Sequence, residues 1–150
     1  MARGAGTDFD LEQAIPYLLA RTGARMGNAF AKAIKSSGLS LVEWRVCASL
    51  NHRAGQTLSQ LSLNASIDLS ALSRLIDRLI SQGWVERQRS DQDARALHLL
   101  LTKEGKQLTS GLIPLARRYE KTAITGFTDA EVAMLRDMLH RIYKNADTLL

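Results

Sequence analysis

Ser70, Arg74, Asp77 and Ser81 recur at intervals of three and four residues, with Ser73 and Arg78 beside them. Spacing of this kind lines one side of a helix. Short hydroxyls set among arginines can hydrogen-bond phosphate oxygens and base edges, because serine suits either kind of edge and a guanidinium forks onto guanine O6 and N7. Leu72, Leu75, Ile76, Leu79 and Ile80 fall on the other side, so the same segment brings its own core face. Arg87, Arg89 and Arg95 follow in sequence of extended type. Arginine on a projecting ribbon is suited to reach into a minor groove or along phosphates.

The elements that must position these side chains lie between Thr57 and Gly105. A short capped helix is expected at about 57–64 and the striped helix at about 68–82, followed by Gly83 where a left-handed C-cap residue belongs. Trp84 to Arg89 is extended, Ser90-Asp91-Gln92-Asp93 turns the chain, and Arg95 to Leu101 returns with Leu97, Leu99 and Leu101 on one face. The ribbon should pack by that face and leave its tip in solvent. Helix, helix and ribbon in this order make a winged helix-turn-helix, which implies sequence-specific DNA binding. A solvated surface hairpin is the plainer alternative. Thr57 and Ser59, at the start of the first helix of the motif, are further candidates for DNA contact.

A chain of 150 residues supports one domain with a modest core, or a dimer that completes its core across an interface. The 45% hydrophobic content excludes a largely disordered protein. No apolar run is long enough to cross a bilayer and the amino terminus lacks a signal peptide's hydrophobic region, so a cytoplasmic protein without a membrane partner is expected. The formal charge of +5 favours a polyanionic partner. Its distribution matters more. From Asp68 to Arg95 five arginines (Arg74, Arg78, Arg87, Arg89, Arg95) meet five acids (Asp68, Asp77, Glu86, Asp91, Asp93). The excess lies on the first helix, at Arg21, Arg25, Lys32 and Lys35, and after the ribbon, at Lys103, Lys106, Arg117, Arg118 and Lys121. Position rather than net charge therefore carries the nucleic-acid argument. His52, His98 and His140 are isolated and no nucleophile elbow or phosphate-cradling glycine loop occurs, so no enzyme, cofactor or metal is expected.

Ser40-Leu41-Val42-Glu43, Thr57-Leu58-Ser59-Gln60 and Thr128-Asp129-Ala130-Glu131 each match the capping box and mark helix origins. Helices are read at about 10–37, 41–53, 57–64, 68–82, 102–125 and 129–148, giving a mainly α fold with a small β wing. Pro16 should mark a break or an early turn in the first helix, and Pro114 should bend the fifth. Leu18, Thr22, Met26, Ala29, Phe30, Ala33 and Ile34 form one apolar stripe, and Leu135, Met138, Leu139, Ile142, Ala146 and Leu149 another. One small domain has too little interior for both, so the terminal helices are expected to interlock with a second copy. The alternative is closure into a bundle within one chain. The expected division is an N-terminal dimerisation helix over 1–39, a DNA-binding lobe over 40–101 and C-terminal dimerisation helices over 102–150.

Leu41-Val-Glu-Trp-Arg-Val46, Leu72-Ser-Arg-Leu-Ile-Asp-Arg-Leu-Ile-Ser-Gln-Gly-Trp-Val-Glu-Arg87, and Asp93-Ala94-Arg95 with Leu101-Thr102-Lys103-Glu104-Gly105 resemble the MarR family of bacterial transcriptional regulators. The ribbon's Asp-x-Arg followed by Leu-Thr-x-x-Gly is the most specific part. The resemblance implies a homodimer that binds a double-stranded, pseudo-palindromic operator through recognition helix and wing. It further implies release of DNA by a small molecule, typically a phenolic or aromatic acid, and most often repression. Carried over, Ser70, Ala71, Ser73 and Arg74 match groove-facing positions, and Arg87, Arg89 and Arg95 fall in the wing.

Asp77 stands in the middle of the polar stripe, where it repels phosphate unless paired. It is expected to orient a wing or helix arginine, the alternative being a contact to cytosine N4. The lone Cys47 shares an apolar face with Trp44 and Leu50 and reads as a buried core residue, with redox sensing as the alternative. A winged helix that binds protein instead of DNA is the rival function, but its recognition stripe should be apolar. The resemblance places effectors between the dimerising helices and the DNA-binding lobe. Arg21 and Arg25 are candidates for an anionic group, Trp44 for a ring, and His52, Arg53 and Tyr119 for the lining. The positive excess suits a carboxylate or a larger anion such as an acyl-coenzyme A thioester.

Overall fold

A computed structural model of the chain describes residues 9–93 and 95–150. The chain divides into two compact units, residues 1–116 and 117–150. The first opens with a 3-10 turn, Leu11–Gln13, capped by the Asp10 side chain. Ala14, at ψ 122°, then breaks the chain before α1 (Ile15–Ile34). The expected single first helix is thus interrupted at its start, and Pro16 occupies its first turn, where a missing amide N–H leaves nothing unsatisfied. α1 passes into a second 3-10 turn, Lys35–Ser37, and ends at the left-handed Gly38.

The three capping boxes form as their spacing dictates. Ser40 Oγ accepts from the Glu43 amide while Glu43 Oε2 accepts from the Ser40 amide, opening α2 (Leu41–His52). Thr57 and Gln60 do the same for α3 (Leu58–Ala65). Ser66, at φ 53°, ends α3 in the left-handed region, a conformation that costs a serine about 1 kcal/mol. Ser62 Oγ donates to the Ile67 carbonyl at 2.6 Å and holds that turn.

α4 (Leu69–Ser81) starts at Asp68, whose carboxylate accepts from the Ser70 and Ala71 amides. Leu72, Ile76 and Leu79 are fully buried, with Leu75 and Ile80 at the margin. The helix closes in a Schellman motif: Gly83, at φ 77°, donates to Ile80 O at 2.9 Å and Trp84 donates to Leu79 O at 3.0 Å. Strands β1 (Val85–Arg89) and β2 (Leu97–Leu101) pair antiparallel, with Arg87 opposite Leu99. Leu99 and Leu101 are buried with Val85, but Leu97 is 48% exposed. The return strand is therefore shorter than expected and its apolar face packs only at the root. The tip is closed by polar groups instead: Ser90 Oγ accepts from the Gln92 and Asp93 amides, and Asp93 Oδ1 from the Arg95 amide.

The core joins Ile34 and Leu39 to Val46, Cys47, Leu50, Leu61 and the buried faces of α4 and the ribbon. Gln56 bridges three elements. Its Nε2 donates to the Ser49 and Arg53 carbonyls, its Oε1 accepts from Asn64 Nδ2 at 2.6 Å, and its main-chain carbonyl accepts from the Leu99 amide at 2.8 Å. α5 (Lys103–Ala123) follows β2 and continues as a helix through Pro114.

The second unit holds the end of α5 and α6 (Asp129–Ala146), the latter capped by Thr128 and Glu131. Arg136 Nη2 meets Glu120 Oε1 at 3.0 Å. α6 has no buried residue; Met138, Leu139 and Ile142 of the expected stripe are each about two-fifths exposed. Among the described residues no helix is long and apolar enough to cross a membrane.

Candidate nucleic-acid interface

Burial of Leu72, Ile76 and Leu79 fixes the rotation of α4, and Ser70, Ala71, Arg74, Asp77 and Ser81 are accordingly exposed, with Ser73 half-buried. Thr57 is half-buried, its hydroxyl oxygen accepting from the Gln60 amide, and Ser59 is exposed. Two of the serine hydroxyl protons are already placed. Ser70 donates to Asp68 Oδ2 at 2.6 Å, and Ser81 to the Arg78 carbonyl at 2.7 Å. The Ser70 hydroxyl is the leading reason that the Asp68 carboxyl lies below the usual carboxylate range, with the Ala71 amide next.

Asp77 accepts from Arg87 Nη2 at 2.6 Å, joining the recognition helix to the first strand of the ribbon. This is the orienting contact expected of it, made through Oδ1 alone. Both partners are exposed, so the pair orients Arg87 more than it stabilises the fold. Arg78, expected beside the stripe as a DNA contact, has another partner. Its Nη2 lies 2.9 Å from Glu43 Oε1 on α2, an ion pair without hydrogen-bond alignment, and Glu43 is fully buried. The guanidinium thus faces the buried Glu43 charge while most of it stays in solvent. Among the described residues no acid pairs with Arg74, Arg89 or Arg95, all three exposed.

The effector candidates are dispersed differently from the expectation. His52 and Arg53 line an open cleft of about 290 Å³ together with Ser49, Gln56 and Asn64. Trp44 instead packs its ring on Phe30, centroids 5.4 Å apart, and the Arg21 guanidinium sits 5.3 Å over the Tyr17 ring. Arg25 is exposed on α1, and Tyr119 belongs to the second unit. Sequence reasoning missed the Glu43–Arg78 pair, because its members lie far apart in the chain and Glu43 already has a local explanation in the capping box.

Cys47 is fully buried, and desolvation pushes its thiol up to about 11, opposed by the Thr109 hydroxyl and reinforced by the nearby Glu43 charge. A redox sensor needs an accessible thiolate, and this site supplies neither access nor charge. The native state keeps the Cys47 proton until about pH 11, whereas the ordinary value is 9.0. Between those values the folded chain binds more protons than the unfolded one, so this group's contribution falls as pH rises, by about 3 kcal/mol in all. Urea unfolding of wild type and Cys47→Ala from pH 8 to 11 should show the wild type losing ground against the variant. Parallel curves would refute the shifted thiol.

The model of the MarR family matches residues 39–97, the segment that runs from the start of α2 to the first residue of β2. Over 145 residues, 97% of this chain and 87% of the relative, the chain is 28% identical to the HTH-type transcriptional repressor IacR of Pseudomonas putida. It is 30% identical to the multiple antibiotic resistance protein MarR of Escherichia coli over 105 residues, covering 69% of this chain and 73% of that protein. The crystal structure of CouR from Rhodococcus jostii RHA1 bound to p-coumaroyl-CoA superposes with a TM-score of 0.81 at 26% identity, covering 89% of this chain and 94% of that one. With its winged helix-turn-helix, its polar recognition stripe and these relatives, the chain belongs to the MarR family of transcriptional regulators.

Proposed function

We propose that the protein is a ligand-responsive repressor that binds a pseudo-palindromic operator as a homodimer. The observation that carries the reading is the outer face of α4: Ser70, Arg74 and Asp77 exposed opposite buried Leu72, Ile76 and Leu79, with Asp77 holding Arg87 of the ribbon. This face is polar and presents the exposed Arg74 guanidinium, which suits a major groove and not an apolar protein partner. Thr57, Ser59, Ala71 and Ser73 border it, and Arg89 and Arg95 extend it along the wing toward phosphate or minor groove. Residues 40–101 form the reading lobe, and residues 1–39 and 102–150 the dimerising helices. Exposed Leu18, Leu19 and Met26 on α1, and Met138, Leu139 and Ile142 on α6, support a second copy as their cover.

The effector in this reading is a small aromatic acid or an acyl-coenzyme A thioester, consistent with the basic residues of the first and fifth helices. CouR and its p-coumaroyl-CoA support the thioester. His52 and Arg53 share one cleft and are the best placed of the candidates for an anionic group.

Fluorescence anisotropy on the DNA upstream of the protein's own gene, with random DNA as competitor, tests the reading. Preference by about a thousand-fold at near-physiological salt is expected. Equal, weak binding to both would favour a protein partner. Removing the Arg74 guanidinium, as Arg74→Ala, should cost about 1–3 kcal/mol on the operator and relax its sequence preference. Equal weakening on random DNA would reduce Arg74 to a phosphate contact.

A further inference from the structure

We infer that Ser70 is a specificity-determining residue that acts only as a hydrogen-bond acceptor, selecting an adenine or cytosine amino group at one strand position in each half-site. The inference rests on the DNA-reading role proposed above. Asp68 Oδ2 receives the Ser70 hydroxyl at 2.6 Å while also accepting from the Ser70 amide at 3.1 Å and the Ala71 amide at 3.2 Å. An ionised carboxylate has no proton to give, so the shared proton is the serine's. The same carboxylate is the N-cap of α4, fixed by helix amides, and it therefore remains beside the hydroxyl wherever the helix docks.

What remains on Ser70 Oγ is lone-pair density, made more basic by a proton polarised toward a charge. Phosphate oxygens, guanine O6 and N7, thymine O4 and adenine N7 are all acceptors and find no partner there. The donors of the major groove are adenine N6 and cytosine N4. A phosphate at this point would also approach the Asp68 carboxylate, which repels it. A serine on a recognition helix ordinarily reads phosphate or either kind of base edge; Asp68 removes the donor half of that repertoire.

The test begins with selection of preferred duplexes from a random-sequence library by the full-length protein. Each adenine and cytosine of the selected half-site is then replaced by purine or pyrimidin-2-one nucleosides, which lack the exocyclic amino group. One position is expected where this loss weakens wild type about five-fold or more, Ser70→Ala is indifferent, and Ser70→Thr regains the sensitivity. A selected operator at which no amino deletion is silenced by Ser70→Ala overturns the assignment of Ser70 alone. So does Ser70→Ala weakening operator and random DNA alike. Selection that enriches no sequence overturns the DNA-reading role together with this inference.

Discussion

Gly105→Ala is expected to destabilise the protein by about 3 kcal/mol or more, although alanine is the better helix former by about 1 kcal/mol. Gly105 lies in the first turn of α5, where a Cβ would stand 2.0 Å from the Trp84 carbonyl oxygen and 2.9 Å from its carbon. The obstacle is backbone, and that backbone is fixed. Trp84 O accepts from the Thr102 amide at 3.1 Å, Thr102 Oγ1 donates to the Gly83 carbonyl at 2.7 Å, and the Gly105 amide donates to Thr102 Oγ1 at 3.0 Å. Relief of the overlap must break these bonds or move the wing root. Gly111, in the same helix, has nothing within 4 Å of its added Cβ. There the propensity term acts alone, and Gly111→Ala should stabilise by about 0.5–1 kcal/mol. Urea denaturation of both variants at one protein concentration separates the two effects, and a Gly105→Ala protein as stable as wild type would refute the close approach.

Arg78→Met should cost about 2–3 kcal/mol of stability, because it leaves the fully buried Glu43 without its counter-charge. Arg78 itself is 59% exposed, so the loss comes less from the attraction removed than from the isolated carboxylate left behind. Glu43→Gln keeps an oxygen for the Ser40 amide and removes the charge. In that background Arg78→Met should cost under about 1 kcal/mol, a coupling that a double-mutant cycle reads directly. Additive costs would show the pair to be incidental. Arg78→Met should also leave operator preference intact, in contrast to Arg74→Ala.

These two predictions mark where the sequence is legible and where it is not. The capping boxes at Ser40, Thr57 and Thr128, the left-handed Gly83 and the face of α4 are local patterns, decided by residues three or four apart, and each forms as its spacing requires. Leu97 obeyed the alternation of its strand yet stays exposed, since the alternation does not say how far the ribbon rests on the helices. Ser66 adopts a glycine-like conformation that its type does not announce; Ser62 holding the Ile67 carbonyl supports it from outside the turn. The Leu-Thr-x-x-Gly run was visible as a motif, but its reason lies in Trp84, on the other side of the ribbon. For the site, residue types and helical face were readable, as was the need of Asp77 for a cationic partner. The choice of Arg87 over Arg78 depends on how α4 meets α2 and β1 in space, which no local pattern records.

Gln56 carries a mechanical consequence. Its side chain ties the last turn of α2 to the end of α3, and its carbonyl ties both to β2, all from a residue that is 2% exposed. A loop this anchored cannot serve as a hinge. The helix-turn-helix and the root of the wing are thereby tied to open and close as one cooperative unit, so a bound duplex meets α3, α4 and the root of the ribbon as a single body.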